Sequence, residues 1–301
     1  MDGKRSDMIA PKKEEIKTMD CKKEEKKDLY NKEKPLIHYW KDNVITLFDP
    51  ITKTKKMVIL DKSINHEATS ISVGNKIFLI GGSPCISDMH EVDFVSNTLI
   101  PKKSMLTPKY HHTLCNANDY IYSIGGFNGL KSIGDCEKYS ITQDSWNALP
   151  TLEPSRLGCA AFTFNETRIY CLCGYSDSIN NDLNSMVMLN VEKGVMWEKV
   201  NVLNMFSARD DLHGIQLNEN EAIVFGGSNG FVPLSDCYVL RFNPVVECKQ
   251  VNQLAISGVF STCASPVNDG ACVYGSDNNK RIHIHSMANK KWEMIDNADD
   301  D

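Results

Sequence analysis

The sequence predicts an all-β protein assembled from repeats of one four-stranded unit, and three observations carry that reading. Five short apolar runs each stop at a glycine: Ile77-Phe78-Leu79-Ile80-Gly81-Gly82, Ile121-Tyr122-Ser123-Ile124-Gly125-Gly126, Ile169-Tyr170-Cys171-Leu172-Cys173-Gly174, Ala222-Ile223-Val224-Phe225-Gly226-Gly227 and Ala271-Cys272-Val273-Tyr274-Gly275. They recur every 44 to 53 residues, a period that marks an array of one supersecondary unit. Within each period, runs of aromatic and β-branched residues alternate with polar turns, as strands do.

The most complete copy spans residues 110–149. Tyr110 to Cys115 reads as a first strand, Asn118-Asp119 as a turn and Tyr120 to Ile124 as a second strand. Gly125-Gly126 then permits a sharp turn or a close backbone approach. A polar loop, Phe127-Asn128-Gly129, leads to a third strand over Ser132 to Ser140, and a fourth begins near Trp146 after Thr142-Gln143-Asp144. Sheets this small cannot bury an apolar face alone and become stable when packed radially around an axis.

The pattern resembles the kelch repeat, in which a diglycine after the second strand is followed by a Tyr and a Trp separated by six residues. Tyr139 and Trp146 match that pair, and Leu189 with Trp197 and Ser286 with Trp292 are looser copies. The resemblance covers about residues 36–296 and implies a kelch-type β-propeller. Ahead of the first diglycine, Leu36 to Trp40, Val44 to Phe48 and Met57 to Leu60 look like a unit without its glycines and first strand. The remaining blades start near His66, Tyr110, Gly158, Leu212 and Val259. Five full units and one short unit predict six blades, with a five-bladed or open array as the alternative.

The chain divides into a Lys/Glu-rich tail over residues 1–35, the propeller over 36–296 and an acidic tip over 297–301. Residues 1–34 hold 11 Lys and Arg against 9 Asp and Glu, too polar a stretch to order itself. Removing that charge from the whole-chain −6 leaves about −8 on the propeller, which argues against nucleic acid, where a basic stripe is expected. The sequence shows neither a membrane-spanning apolar stretch nor a signal-peptide core, so a soluble, cytoplasmic protein is expected. Eleven cysteines without regular spacing read as buried free thiols in a reducing compartment. Asn165-Glu166-Thr167 fits a glycosylation acceptor but means little without a secretory route.

Catalytic constellations do not emerge. His111-His112 are adjacent, so on a strand they face opposite ways and cannot share a metal; one of them reads as a packing residue. His283 and His285 share a face at ligand spacing, with no third ligand evident. Cys171 and Cys173 sit in an apolar setting unlike that of reactive thiols. Some kelch propellers are enzymes, but neither the copper ligand set nor the iron ligand series of those relatives is assignable here, and nucleophile elbow, P-loop and dinucleotide fingerprint are absent. No cofactor and no metal are expected. The alternative reading is a metal-dependent kelch-fold enzyme at the channel mouth.

In a propeller, the loops after the second strands and the inter-blade linkers gather on one rim. The resemblance places an aromatic after the diglycine and an Arg before the first strand in kelch proteins that hold peptides. Phe127 and Tyr175 match the first, Arg156 and Arg209 the second. An Arg fork takes a carboxylate through two parallel hydrogen bonds, and aromatics give contact area at low entropy cost. The expected partner-binding set is Lys109, Tyr110, Phe127, Asn128, Arg156, Tyr175, Asp177, Arg209, Asn229 and Phe231, taking a protein or acidic peptide, with cytoskeletal surfaces among the candidates. The structural alternative stays open at each position: Asn128-Gly129 and Asn229-Gly230 form turns, and an Arg before a strand can tie blades together. Many relatives join a BTB domain as ubiquitin-ligase adaptors, a role the short leading segment disfavours. The resemblance therefore implies a non-catalytic scaffold or adaptor.

Overall fold

The computed structural model describes residues 37–49, 52, 54–230, 232–254, 260–267, 270–276, 282–286 and 291–295. The first sheet is β1 (Ile37–Lys41), β2 (Val44–Asp49) and β3 (Thr54–Ile59). The second is β4 (Thr69–Val73), β5 (Lys76–Ile80), β6 (Met89–Asp93) and β7 (Thr98–Lys102). The third is β8 (Thr113–Ala117), β9 (Tyr120–Ile124), β10 (Glu137–Ser140) and β11 (Ser145–Ala148). In the fourth, β12 (Ala160–Phe164) and β13 (Arg168–Leu172) precede a small hairpin, β14 (Tyr175–Ser176) with β15 (Asn181–Asp182), before β16 (Met186–Asn190) and β17 (Glu198–Val200) complete the blade. The fifth adds β18 (Val202–Leu203) and β21 (Val232–Pro233) to β19 (Asp210–Asn218), β20 (Glu221–Asn229), β22 (Cys237–Phe242) and β23 (Val246–Val251). The sixth is β24 (Phe260–Val267), β25 (Gly270–Ser276), β26 (Ile282–Ser286) and β27 (Lys291–Ile295). Among the described residues there is no helix, and the sheets form a propeller of five four-stranded meanders and one three-stranded sheet.

The short first unit expected from the sequence is the three-stranded sheet. Among the described residues no further strand joins it, and β1 lies directly against β24 and β25. Inner strands touch in sequence, β4 to β8 to β12 to β19 to β24, and β24 also reaches β4.

The core follows from the strand sequences. A run such as β9, Tyr-Ile-Tyr-Ser-Ile, is buried almost throughout because both faces of its sheet meet another sheet. The apolar clusters are accordingly slabs between neighbouring blades. Ile45, Leu47, Ile77 and Leu79 sit between the first and second, and Phe78, Ile80, Ile121 and Tyr139 between the second and third. Tyr122, Ile124, Ile169 and Leu189 fill the third-to-fourth seam, Phe162, Tyr170, Val224 and Leu240 the fourth-to-fifth. Phe225, Val239 and Leu254 form the next, with Trp292 of β27 against it. Each such side chain contributes roughly 1.5–3 kcal/mol on burial.

The Tyr–Trp pair of the third blade works across a seam. Tyr139 and Trp146 are register partners with ring centroids 5.2 Å apart. Trp146 Nε1 donates to the Lys103 carbonyl of the preceding blade at 2.8 Å, and Trp197 Nε1 repeats this with Pro150 O at 2.9 Å. Tyr139 Oη donates to Asp144 Oδ1 at 2.7 Å, and the same carboxylate oxygen accepts Lys103 N at 2.9 Å.

Two strand boundaries differ from expectation. The first strand of the third blade begins at Thr113, since His111 is left-handed (φ 51°) and Tyr110 is occupied in a bridge to Phe127. The third strand begins at Glu137, because Ser132 bridges back to Phe127.

Candidate functional site

The post-glycine loops and inter-blade linkers meet on one face, as the Tyr110–Phe127 and Leu157–Tyr175 bridges establish. The loops are laced to each other across blades. Cys85 Sγ donates to Phe127 O at 3.9 Å, Asp177 N to Ser132 Oγ at 2.9 Å and Ser132 N to the Asp177 carboxylate. Gly230 N donates to Asp182 Oδ2 at 3.1 Å.

The linker cations are not on that face. Lys109, Arg156 and Arg209 are 0%, 0% and 1% exposed, which corrects their assignment as partner-binding residues. Each is a staple between blades. Their carbonyls accept from the glycine ending the preceding blade's apolar run: Gly82 N at 3.4 Å, Gly126 N at 2.9 Å and Gly174 N at 2.8 Å. Their side chains reach forward into the following blade. Lys109 Nζ meets Glu137 Oε1 at 3.2 Å and donates to Asp135 O at 2.9 Å. Arg209 donates to Asp236 Oδ1 at 2.8 Å and Oδ2 at 3.0 Å, with Gly226 O at 3.3 Å. Arg156 donates to Cys173 O at 3.2 Å, Ser185 O at 3.5 Å and Ser185 Oγ at 3.4 Å. Glu137 also accepts Leu106 N at 2.7 Å and Thr107 N at 3.2 Å, fixing the linker that carries Lys109. A buried charge needs such partners to be tolerated at all. The diglycine makes room for the staple: at Gly125 (φ +60°) a Cβ would collide with the Arg156 carbonyl oxygen.

The other expected residues that the structure describes lie on the loop face. Tyr110 and Phe127 are half-buried and pack edge to face, centroids 5.4 Å apart. Half-buried Tyr175 donates through its hydroxyl to Asn180 Oδ1 at 2.9 Å. The Asn128 side chain closes its own turn, accepting Leu130 N and Lys131 N at 3.0 Å each. Asp177 and Asn229 are exposed, the former holding Ser132 as above. Phe231 lies outside the described residues, as do parts of the loops around His283 and His285.

Sequence reasoning named the channel mouth but assigned it no residues. Glu67, His111 and Gly158 stand just before an inner strand and Asp211 at the start of one, all in the left-handed conformation, with φ of 57°, 51°, 58° and 50°. Gly158 N donates to His111 O at 3.0 Å and Asp211 N to Gly158 O at 2.7 Å, so the linkers entering the third, fourth and fifth blades are tied into a collar. His111 Nε2 lies 3.9 Å from Glu67 Oε1. Burial raises the Asp211 carboxyl, His111 offsets part of that, and Asp182 adds to it. Burial carries Asp210 up to about 6 against the hydrogen bond from Ser228 Oγ, 2.5 Å, with Asp211 and Asp182 adding repulsion. The signal available was positional: each collar residue falls two places after Asn65, Lys109, Arg156 or Arg209.

Behind the collar runs a cavity of 990 Å³ lined by inner strands. Among its described lining residues the carboxylates are Glu67, Glu166, Asp211 and Glu219, and there is no Lys or Arg. His112 lies in the wall, 4% exposed, with neither ring nitrogen hydrogen-bonded; burial, then Lys109 and His111, hold it neutral. Burial lowers His213 to about 4. No group of three or more His, Cys, Asp or Glu capable of holding a metal occurs among the described residues. Around the collar, the loop tips of three successive blades expose aliphatic side chains: Leu130 at 88%, Ile179 at 54% and Val232 at 63%.

A family model for the kelch motif matches residues 108–153. The chain is 26% identical over 117 residues to Kelch-like protein 35 of Mus musculus, covering 38% of this chain and 20% of that protein. It is 24% identical over 144 residues to Kelch repeat and BTB domain-containing protein 2 of Ectromelia virus (strain Moscow), covering 44% and 26%. It is 29% identical over 104 residues to Kelch domain-containing protein 10 of Xenopus laevis, covering 30% and 25%. The matched stretches thus span about a fifth to a quarter of these relatives' length.

Proposed function

We propose that this chain, a kelch-repeat β-propeller, is a non-catalytic scaffold or adaptor of the cytoplasm that holds a protein partner on its post-glycine loop face. The observation that carries the reading is the lacing of those loops: Ser132 to Asp177, Asp182 to Gly230 and Cys85 to Phe127. Loops already tied to one another lose little freedom on binding, so contact energy goes into affinity. Likeness to kelch-repeat proteins supports a role in protein interaction. Free thiols such as Cys115, Cys136 and Cys171 support a reducing compartment.

The test is proximity labelling in the native cell with the chain and with a Leu130→Ser, Ile179→Ser, Val232→Ser variant. Loss of a reproducible set of labelled proteins, at unchanged melting temperature, supports the reading. An identical set from both overturns it.

A further inference from the structure

We propose that the loop face takes a basic, amphipathic segment of its partner, aliphatic side chains against the rim and a Lys or Arg at the acidic channel mouth. The inference rests on the scaffold reading above and names the chemistry of its ligand.

The first observation is where the positive charge has gone. Lys109, Arg156 and Arg209 are enclosed between blades and bonded there, so none offers a fork to a carboxylate. Among the described residues, the charged groups of the collar and the loops beside it include Glu67, Asp177, Asp182, Asp210 and Asp211, with His66 and His111 next to Glu67. Asp210 and Asp211 are both raised by burial and by neighbouring carboxylates, the situation an incoming cation relieves.

The second observation is independent of charge. Leu130, Ile179 and Val232 occupy corresponding loop tips on three blades in a row and stand exposed, an arc of aliphatic tips on the loop face. The described wall of the cavity carries the carboxylates Glu67, Glu166, Asp211 and Glu219 and no Lys or Arg. Charge complementarity therefore selects a cationic occupant, and the arc selects one with aliphatic neighbours.

The experiment is selection of dodecapeptides from a random display library on the folded chain, repeated on a Glu67→Gln, Asp211→Asn variant and on the rim variant Leu130→Ser, Ile179→Ser, Val232→Ser. The expected pool carries net positive charge with interspersed Leu, Ile or Val. A leading peptide should bind at least tenfold more weakly to the charge variant and should weaken as salt rises. An acidic or neutral pool, or a basic pool insensitive to the charge variant, overturns the basic-segment proposal while leaving the scaffold reading intact. A pool whose binding ignores the rim variant, or no enrichment at all, removes both. Equal melting temperatures of the variants and the parent chain confirm that binding rather than folding is being read.

Discussion

Arg209 and Asp236 form a two-point pair inside the wheel, Nη1 to Oδ1 at 2.8 Å and Nη2 to Oδ2 at 3.0 Å, with Tyr238 Oη donating to the same carboxylate at 2.6 Å. The Arg209 guanidinium also lies over the Phe206 ring, 4.5 Å from its centroid. This one pair joins the linker leaving the fourth blade to the threshold of the fifth blade's third strand.

Asp236→Ala leaves that guanidinium buried without its anion, and is expected to cost about 3–5 kcal/mol in urea unfolding. The pair also sets an acid limit. Burial alone raises the Asp236 carboxyl, but the Arg209 and Tyr238 hydrogen bonds outweigh it and the net direction is down. A lowered folded pKa gives stability that is complete above the unfolded value, ~3.9, and fades as pH falls through the folded one. Asp236→Asn should flatten the stability–pH curve below about pH 4.

Arg156 is the contrasting staple, bonded to carbonyls and a hydroxyl where Arg209 has a carboxylate. Ser185 stands at the position of Asp236 in the next blade. Ser185→Asp should therefore supply the missing anion and stabilise by about 1.5–3 kcal/mol, the worth of a charge-assisted hydrogen bond. A lowered urea midpoint would show that the site is closed to a second charge.

Asp210 has the opposite sign. Burial, with Asp211 and Asp182 beside it, raises its folded pKa to about 6 despite the Ser228 hydrogen bond. The folded chain holds that proton more tightly than the unfolded one, so this group's contribution is complete below ~3.9 and declines as pH rises towards the folded value. Asp210→Asn is expected to raise the melting temperature at pH 7 and to lose that advantage by pH 4, measured by calorimetry across the range.

Gly125→Ala sets a Cβ against the Arg156 carbonyl oxygen at φ +60°. Strain and displaced staple together should cost more than the roughly 1–3 kcal/mol of an unfavourable backbone conformation alone. Gly129→Ala, also at positive φ (+89°) but with only Cys85 Cβ at 3.6 Å, should cost about 1 kcal/mol. Parallel urea titrations compare the two.

The blades were legible because their chemistry is local. An apolar run ending in glycine identifies a strand and its exit, and the Tyr139–Trp146 spacing identifies the outer hairpin. The rim was legible in part: Tyr110, Phe127 and Tyr175 are on the loop face, whereas Lys109, Arg156 and Arg209 are inside. A cation in a polar linker looks solvated until its acceptor is known. Glu137 and Asp236 lie on the third strand of the next blade or at its threshold, distant in sequence and adjacent only through register. The collar was hidden for another reason. Of Glu67, His111, Gly158 and Asp211, only Gly158 advertises its left-handed backbone by residue type.

The three-stranded first sheet has a mechanical consequence. Among the described residues, no strand ladder joins it to the last sheet; β1 lies against β24 and β25. Under tension applied to its two ends, the ring should part at that clasp before any sheet unravels, as a split key-ring opens where its ends overlap.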